Sequence, residues 1–176
     1  MTFVNMYSPG LRILATHRLV GNLANFDPAA LLDRLRAMGS LASHSAAEAR
    51  QLLGRTSPDK VRMGIAFPGG DRVHLFETRR DPGALDVRFL HERILDGALG
   101  IGDEAVREEK YLRYIRGVDA ALAGINRVEA QAAFLLQPTT VQQVADTSFG
   151  GGVMPQKSTD FYPKLLTGLT IYKLDQ

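Results

Sequence analysis

Val61-Arg62-Met63-Gly64-Ile65-Ala66-Phe67-Pro68-Gly69-Gly70-Asp71-Arg72-Val73-His74-Leu75-Phe76-Glu77-Thr78 is the stretch on which the fold class turns. Val61, Met63, Ile65 and Phe67 alternate with smaller or polar residues, the period of a half-buried strand. Pro68-Gly69-Gly70-Asp71 is turn chemistry, and Val73 to Thr78 resumes a strand pattern, so the stretch predicts a β-hairpin. Downstream, Ala132 to Leu136 is apolar throughout and bounded by Pro138, which suits a strand covered on both faces in the middle of a sheet. Phe3 to Tyr7, Leu11 to Leu14, Tyr111 to Ile115 and Leu169 to Leu174 are further expected strands, the first two separated by the turn Ser8-Pro9-Gly10.

Helices fall between them. Asp27 caps a helix with Pro28 at its first position, Leu31, Leu32, Leu35 and Met38 on one face, and Gly39 at its end. Ser45-Ala46-Ala47-Glu48 has capping-box spacing, because the hydroxyl can accept the Glu48 amide while the carboxylate returns to the Ser45 amide; a short helix to Leu53 follows. Asp86 caps a third, with Val87, Leu90, Ile94 and Leu95 as its apolar stripe. Val118, Ala121, Leu122 and Ile125 suggest a fourth. Thr140 and Gln143 form a second capping box, and that helix is released at Gly150-Gly151-Gly152. Strands and helices intersperse without a strict strand-helix-strand repeat, which predicts an α+β fold: a mixed or antiparallel sheet with helices packed against it. With no internal repeat or low-complexity linker, residues 1–176 are expected to form a single domain.

Composition narrows the chemistry. The 176 residues are 45% hydrophobic and 23% charged, enough apolar material for a substantial core. Lys and Arg total 21 against 19 Asp and Glu, a formal charge of +2 that does not suggest a long cationic surface for nucleic acid. An anion would have to be held locally. Without Cys there is no disulfide, thiol nucleophile or thiolate zinc site, and the four scattered His suggest no imidazole metal centre. No stretch approaches the roughly 20 apolar residues of a membrane span, and the N-terminus lacks a basic segment followed by a long apolar run. A cytoplasmic protein is expected. The strand beginning at Phe3 suggests a fragment of something longer.

Two clusters carry the candidate chemistry. Between Gly150 and Gly168, Gln156, Lys157, Ser158, Thr159 and Lys164 gather positive charge and donors in one loop, while Pro155 and Pro163 limit the freedom lost on ordering. The set suits a phosphate or carboxylate. Gly151 to Ser158 nearly matches a phosphate loop, but Gln156 occupies the second Gly position and a helix precedes it, so that motif is rejected. Thr16-His17-Arg18 is the second cluster: the imidazole is a candidate base or proton shuttle, and the guanidinium a fork for phosphate or carboxylate. The bland alternatives are a solvated loop for the first cluster, and a strand-end histidine beside an exposed arginine for the second. His91, on its helix's apolar face, is expected to be buried and hydrogen-bonded; His44 falls in a loop and His74 in the hairpin.

Val4-Asn5-Met6 with Ile13 to Val20, Leu85-Asp86-Val87 with Leu90-His91, Phe134 to Thr140, and Met154 to Thr159 with Phe161 to Lys164 occur in this order. Together they resemble the C-terminal part of the bacterial and archaeal domain-of-unknown-function family 1015. Ala15 stands where that pattern has Pro, and Asp160 where it has an aromatic, which sets negative charge beside the proposed anion site. The resemblance implies an upstream half with a Gly-His-His-Arg motif similar to that of the ParB and sulfiredoxin-like fold, which includes free-serine kinases. That motif is absent here, so the chain is expected to be a truncated or separately encoded C-terminal portion.

The leading expectation is part of an enzyme of phosphate-ester metabolism, with small-molecule phosphoryl transfer as the concrete form. Lys157, Lys164 and Arg18 would neutralise phosphate charge, Thr16, Gln156, Ser158 and Thr159 would complete the contacts, and His17 would shuttle a proton. Mg²⁺ would accompany a nucleotide, with no ligands assignable. The rivals are a noncatalytic binding or assembly domain that completes a partner's site, and an inactive fragment. Expected partners are a small phosphorylated molecule or nucleotide, and either a homo-oligomer or a separately encoded upstream domain; nucleic acid and membrane are not expected.

Overall fold

The structure, a computed structural model, describes residues 5–55, 57–127 and 130–164. Its strands are β1 (Arg12–Leu14), β2 (Thr16–Gly21), β3 (Ser40–Ser45), β4 (Lys60–Ala66), β5 (Arg72–Arg79), β6 (Leu112–Arg116), β7 (Ala130–Leu136) and β8 (Asp160–Tyr162). Six form one antiparallel sheet in the order β3-β5-β4-β7-β2-β6, while β1 and β8 pair separately. The helices are α1 (Pro28–Met38), α2 (Ala46–Leu53), α3 (Asp86–Phe89), α4 (Gly97–Leu99), α5 (Asp103–Arg107), α6 (Val118–Arg127) and α7 (Val141–Phe149). A π-helical stretch, Leu90–Asp96, joins α3 to α4. The expected α+β class is the one found.

The hairpin forms as β4 and β5, and β7 lies centrally between β4 and β2. Alternation along β7 shows why its sequence is apolar at every position. Ala132, Phe134 and Leu136 face a core closed by α1 and the helical segment from Val87 to Leu95. Ala133 and Leu135 face a second core closed by α2 and α6. A strand between two helical layers has no solvent face on which to place polar residues. Asp27 caps α1, and both capping boxes form as read, on α2 and α7.

Four local readings need correction. Asn5 to Tyr7 forms a turn region and not the expected strand, with Ser8 and Leu11 amides bonding back to Asn5 and Ser8 carbonyls. His44 lies in edge strand β3, not a loop, paired opposite Val73. Asp86 does not cap α3, because its carboxylate turns to Arg80 Nη2 at 2.5 Å. Thr16 to Arg18 is not a strand end but the start of β2, flanked by β6 and β7. The expected strand Leu169 to Leu174 lies outside the described residues.

Candidate functional site

Strand pairing brings the two distant clusters together. β1 and β8 pair with Leu14 opposite Asp160, which lays the loop before β8 against the first residues of β2. A tight turn follows Pro155, whose carbonyl accepts from the Ser158 amide and hydroxyl. Thr139 Oγ1 anchors it by donating to the Ser158 carbonyl at 3.1 Å. Lys157 takes a left-handed backbone, φ 55°, an uncommon conformation for a residue with a Cβ.

Arg18 is the centre of the arrangement. Its side chain shares a face with Val20 and is 1% exposed, because neighbouring strands pair on both edges of β2. Nη1 donates to the Thr16 carbonyl, and Nη2 reaches the Gln156 and Lys157 carbonyls at 3.4 Å each. The guanidinium lies 5.3 Å from the centre of the Tyr114 ring, its cross-strand partner. Among the described residues, its buried Nε has no hydrogen-bond partner and no carboxylate pairs with this arginine. Burial lowers its pKa to about 10, partly opposed by Tyr114. A buried charge without a counter-charge is costly, and structures keep one where something else completes it.

The guanidinium borders a cleft of about 430 Å³, whose walls include Thr16, Ser57, Arg80, Asp86, Lys157 and Ser158. Apolar surface from Leu53, Leu85, Val87 and Leu136 lies between these polar groups. Arg80 braces the far wall, donating to the Ala84 and Lys60 carbonyls at 2.8 and 2.7 Å. Burial raises the Asp86 carboxyl pKa against the pull of Arg80. Gln137, also on the wall, accepts the Ser57 hydroxyl and donates to the Leu53 and Arg55 carbonyls. Ser57, Arg80, Asp86 and Gln137 escaped the sequence reading as site residues, although the Leu85-Asp86-Val87 and Phe134 to Thr140 segments contain two of these four.

The remaining expected residues divide. Thr16, Arg18, Lys157 and Ser158 line the cleft, whereas Gln156 supplies a carbonyl to Arg18 and Thr159 stands outside the lining. Lys164 does not join them: its Nζ lies 2.7 Å from Asp160 Oδ1. Arg116 engages the same carboxylate at 2.6 and 2.8 Å. Asp160 is held below its ordinary carboxylate range, foremost by the Lys164 hydrogen bond, and its charge is spent on these two partners.

His17 points away from the cleft, as alternation along β2 requires when Arg18 points into it. It is 1% exposed, and its Nδ1 accepts the Leu136 amide at 3.2 Å. Burial, then the Arg18 charge, lowers its pKa to about 4, so the ring is neutral near pH 7. His91 is also lowered to about 4 by burial and Arg18, but among the described residues its Nε2 lacks the expected hydrogen bond. Among the described residues, no group of three His, Cys, Asp or Glu is arranged to hold a metal ion. No helix there is long and apolar enough to cross a membrane.

The fold and site define a two-faced antiparallel α+β protein with a basic cleft at one end of its central strands. The chain belongs to the family described as Protein of unknown function (DUF1015), whose model matches residues 1–98. No curated protein matches it. A solved structure of a mutant free serine kinase in complex with AMP is similar in fold, with a TM-score of 0.51 at 16% identity. The match covers 90% of this chain and 56% of that one, so the chain spans little more than half that kinase's length.

Proposed function

We propose that the cleft binds a phosphate group, free or as part of a nucleotide, in a protein of phosphate-ester metabolism whose concrete activity is small-molecule phosphoryl transfer. The observation that carries this reading is Arg18: a buried guanidinium with an unpartnered Nε, no carboxylate partner among the described residues, and a cleft beside it. Phosphate oxygens supply the missing acceptors and counter-charge. Lys157 adds a second cation at the rim, and Thr16 contributes its hydroxyl. Phosphoryl transfer depends mainly on such positioning and charge stabilisation. The resemblance in fold to a kinase solved with AMP is compatible with this reading. A nucleotide's Mg²⁺ would draw most ligands from phosphates and water, with Asp146 the cleft carboxylate not paired to an arginine.

A second reading, a noncatalytic domain that completes a partner's site, draws support from His17. With that ring on the opposite side of β2, the cleft has no histidine to move a proton, and Asp86 is engaged by Arg80. Calorimetric titration with phosphate, phosphoserine, ADP and ATP tests binding, and turnover assays on the same samples separate the two readings. The first expects binding and transfer; the second expects binding alone. No binding by this chain or by one joined to an upstream half would refute both.

A further inference from the structure

Tyr114 connects the two cations of the cleft. Its ring centre lies 5.3 Å from the Arg18 guanidinium carbon and 5.9 Å from Lys157 Nζ, placing both within cation–π range of one aromatic. Neither cation has a carboxylate partner among the described residues, although Asp160 is bound to Arg116 and Lys164 nearby in sequence. The distinction matters chemically. A carboxylate would position a cation by cancelling its charge, while an aromatic face positions it and leaves the net charge in place. Tyr114 also has a buried hydroxyl without a hydrogen-bond partner among the described residues, so its phenol oxygen anchors neither cation there.

We propose that Tyr114 is a positioning residue of the anion site, its ring holding Arg18 and Lys157 together with their charges intact and so suiting the cleft to a dianionic phosphoryl group over a carboxylate. This inference rests on the phosphate-binding reading above and specifies how that site selects its ligand. A singly charged carboxylate leaves one of the paired cations uncompensated, whereas a phosphoryl dianion meets both. The lysine gains most from the ring, because its flexible stem stands exposed at the rim while Arg18 is already fixed by three carbonyls.

Calorimetry with inorganic phosphate and acetate tests the proposal on the full chain, the Tyr114→Phe, Tyr114→Leu and Lys157→Ala variants, and the Tyr114→Leu/Lys157→Ala double variant. The unmutated protein should bind phosphate at least about tenfold more tightly than acetate. Tyr114→Phe retains the ring and should stay within about twofold of that affinity, while Tyr114→Leu should lose about tenfold. Lys157→Ala should cost much less in the Tyr114→Leu background than alone, because the ring acts through the lysine. Equal losses in Tyr114→Phe and Tyr114→Leu, an unchanged affinity in Tyr114→Leu, or additive losses in the double variant would overturn the role of the ring. If Tyr114→Leu does not fold, the Lys157 ε-methylene protons of the unmutated protein provide the test: upfield displacement relative to Lys164 supports the contact, and coincidence overturns it. Absence of phosphate binding by the unmutated protein would instead overturn the site reading itself, and this inference with it.

Discussion

Acidifying the protein from pH 7 to pH 5 should weaken it through two histidines. His17 and His91 each have a folded-state pKa of about 4, lowered from 6.5 first by burial and then by the Arg18 charge. Between those values the unfolded chain binds more protons than the native one, so their contribution is present above about pH 6.5 and lost as pH falls toward 4. Over pH 7 to 5 this amounts to about 2 kcal/mol for His17 and less for the more exposed His91, on the order of 3 kcal/mol together. With a urea m-value of about 2 kcal/mol/M, the unfolding midpoint should fall by roughly 1.5 M. The depressed carboxyls of Glu48, Glu77 and Asp160 act mainly below this window. Asp86, shifted upward, partly opposes the loss, while His74 adds to it. His17→Gln, whose side-chain oxygen can accept the Leu136 amide, should remove more than half of the pH dependence. Equal midpoints at pH 7 and 5, or a His17 ring that titrates near 6.5 by NMR, would refute the reasoning.

Other expectations concern charge and packing. Lys157→Ala should weaken phosphate binding about five- to tenfold by calorimetry at low salt while leaving the melting temperature within a few degrees. Asp160→Asn should strengthen the same binding by about twofold, because Arg116 and Lys164 lose their shared carboxylate; a weaker affinity would contradict the assignment of those charges. Gly64→Ala should cost about 1–3 kcal/mol in urea unfolding, since a Cβ there would meet Val73 Cγ1 at 3.0 Å and Leu135 Cβ at 3.2 Å inside the core. Ser45→Ala should cost about 1 kcal/mol by removing the cap that accepts the Glu48 amide.

The sequence disclosed elements whose signals are local. Pro68 to Asp71 specifies a turn by its own backbone preferences, and Ser45 with Glu48, like Thr140 with Gln143, completes a cap within one helical turn. The unbroken apolar run at β7 disclosed its central place for a similarly simple reason, since every position is covered. β2 was harder to read because Thr16, His17 and Arg18 are polar residues in a buried strand: their burial depends on Leu136, Tyr114 and the Gln156-Lys157 carbonyls, all more than 90 residues away. β8 was hidden for a related reason, as three residues beginning with Asp160 acquire strand character only through β1. Some charge partners had the same long-range character. Nothing local to Lys157 shows that it meets the Tyr114 ring, whereas Lys164 meets a carboxylate only four residues away, and Arg80 and Asp86 gain their place in the cleft only once the sheet is assembled.

Arg18 Nε–H, buried and without an acceptor among the described residues, is observable directly. In a ¹H–¹⁵N spectrum of selectively labelled arginine, titration with inorganic phosphate should move the Arg18 Nε–H resonance downfield and slow its exchange with water, with little change at Arg62, which lies outside the cleft and whose Nε already donates to Glu77. An Arg18 signal that stays in place at saturating phosphate, or arginine signals that all shift alike, would contradict the account.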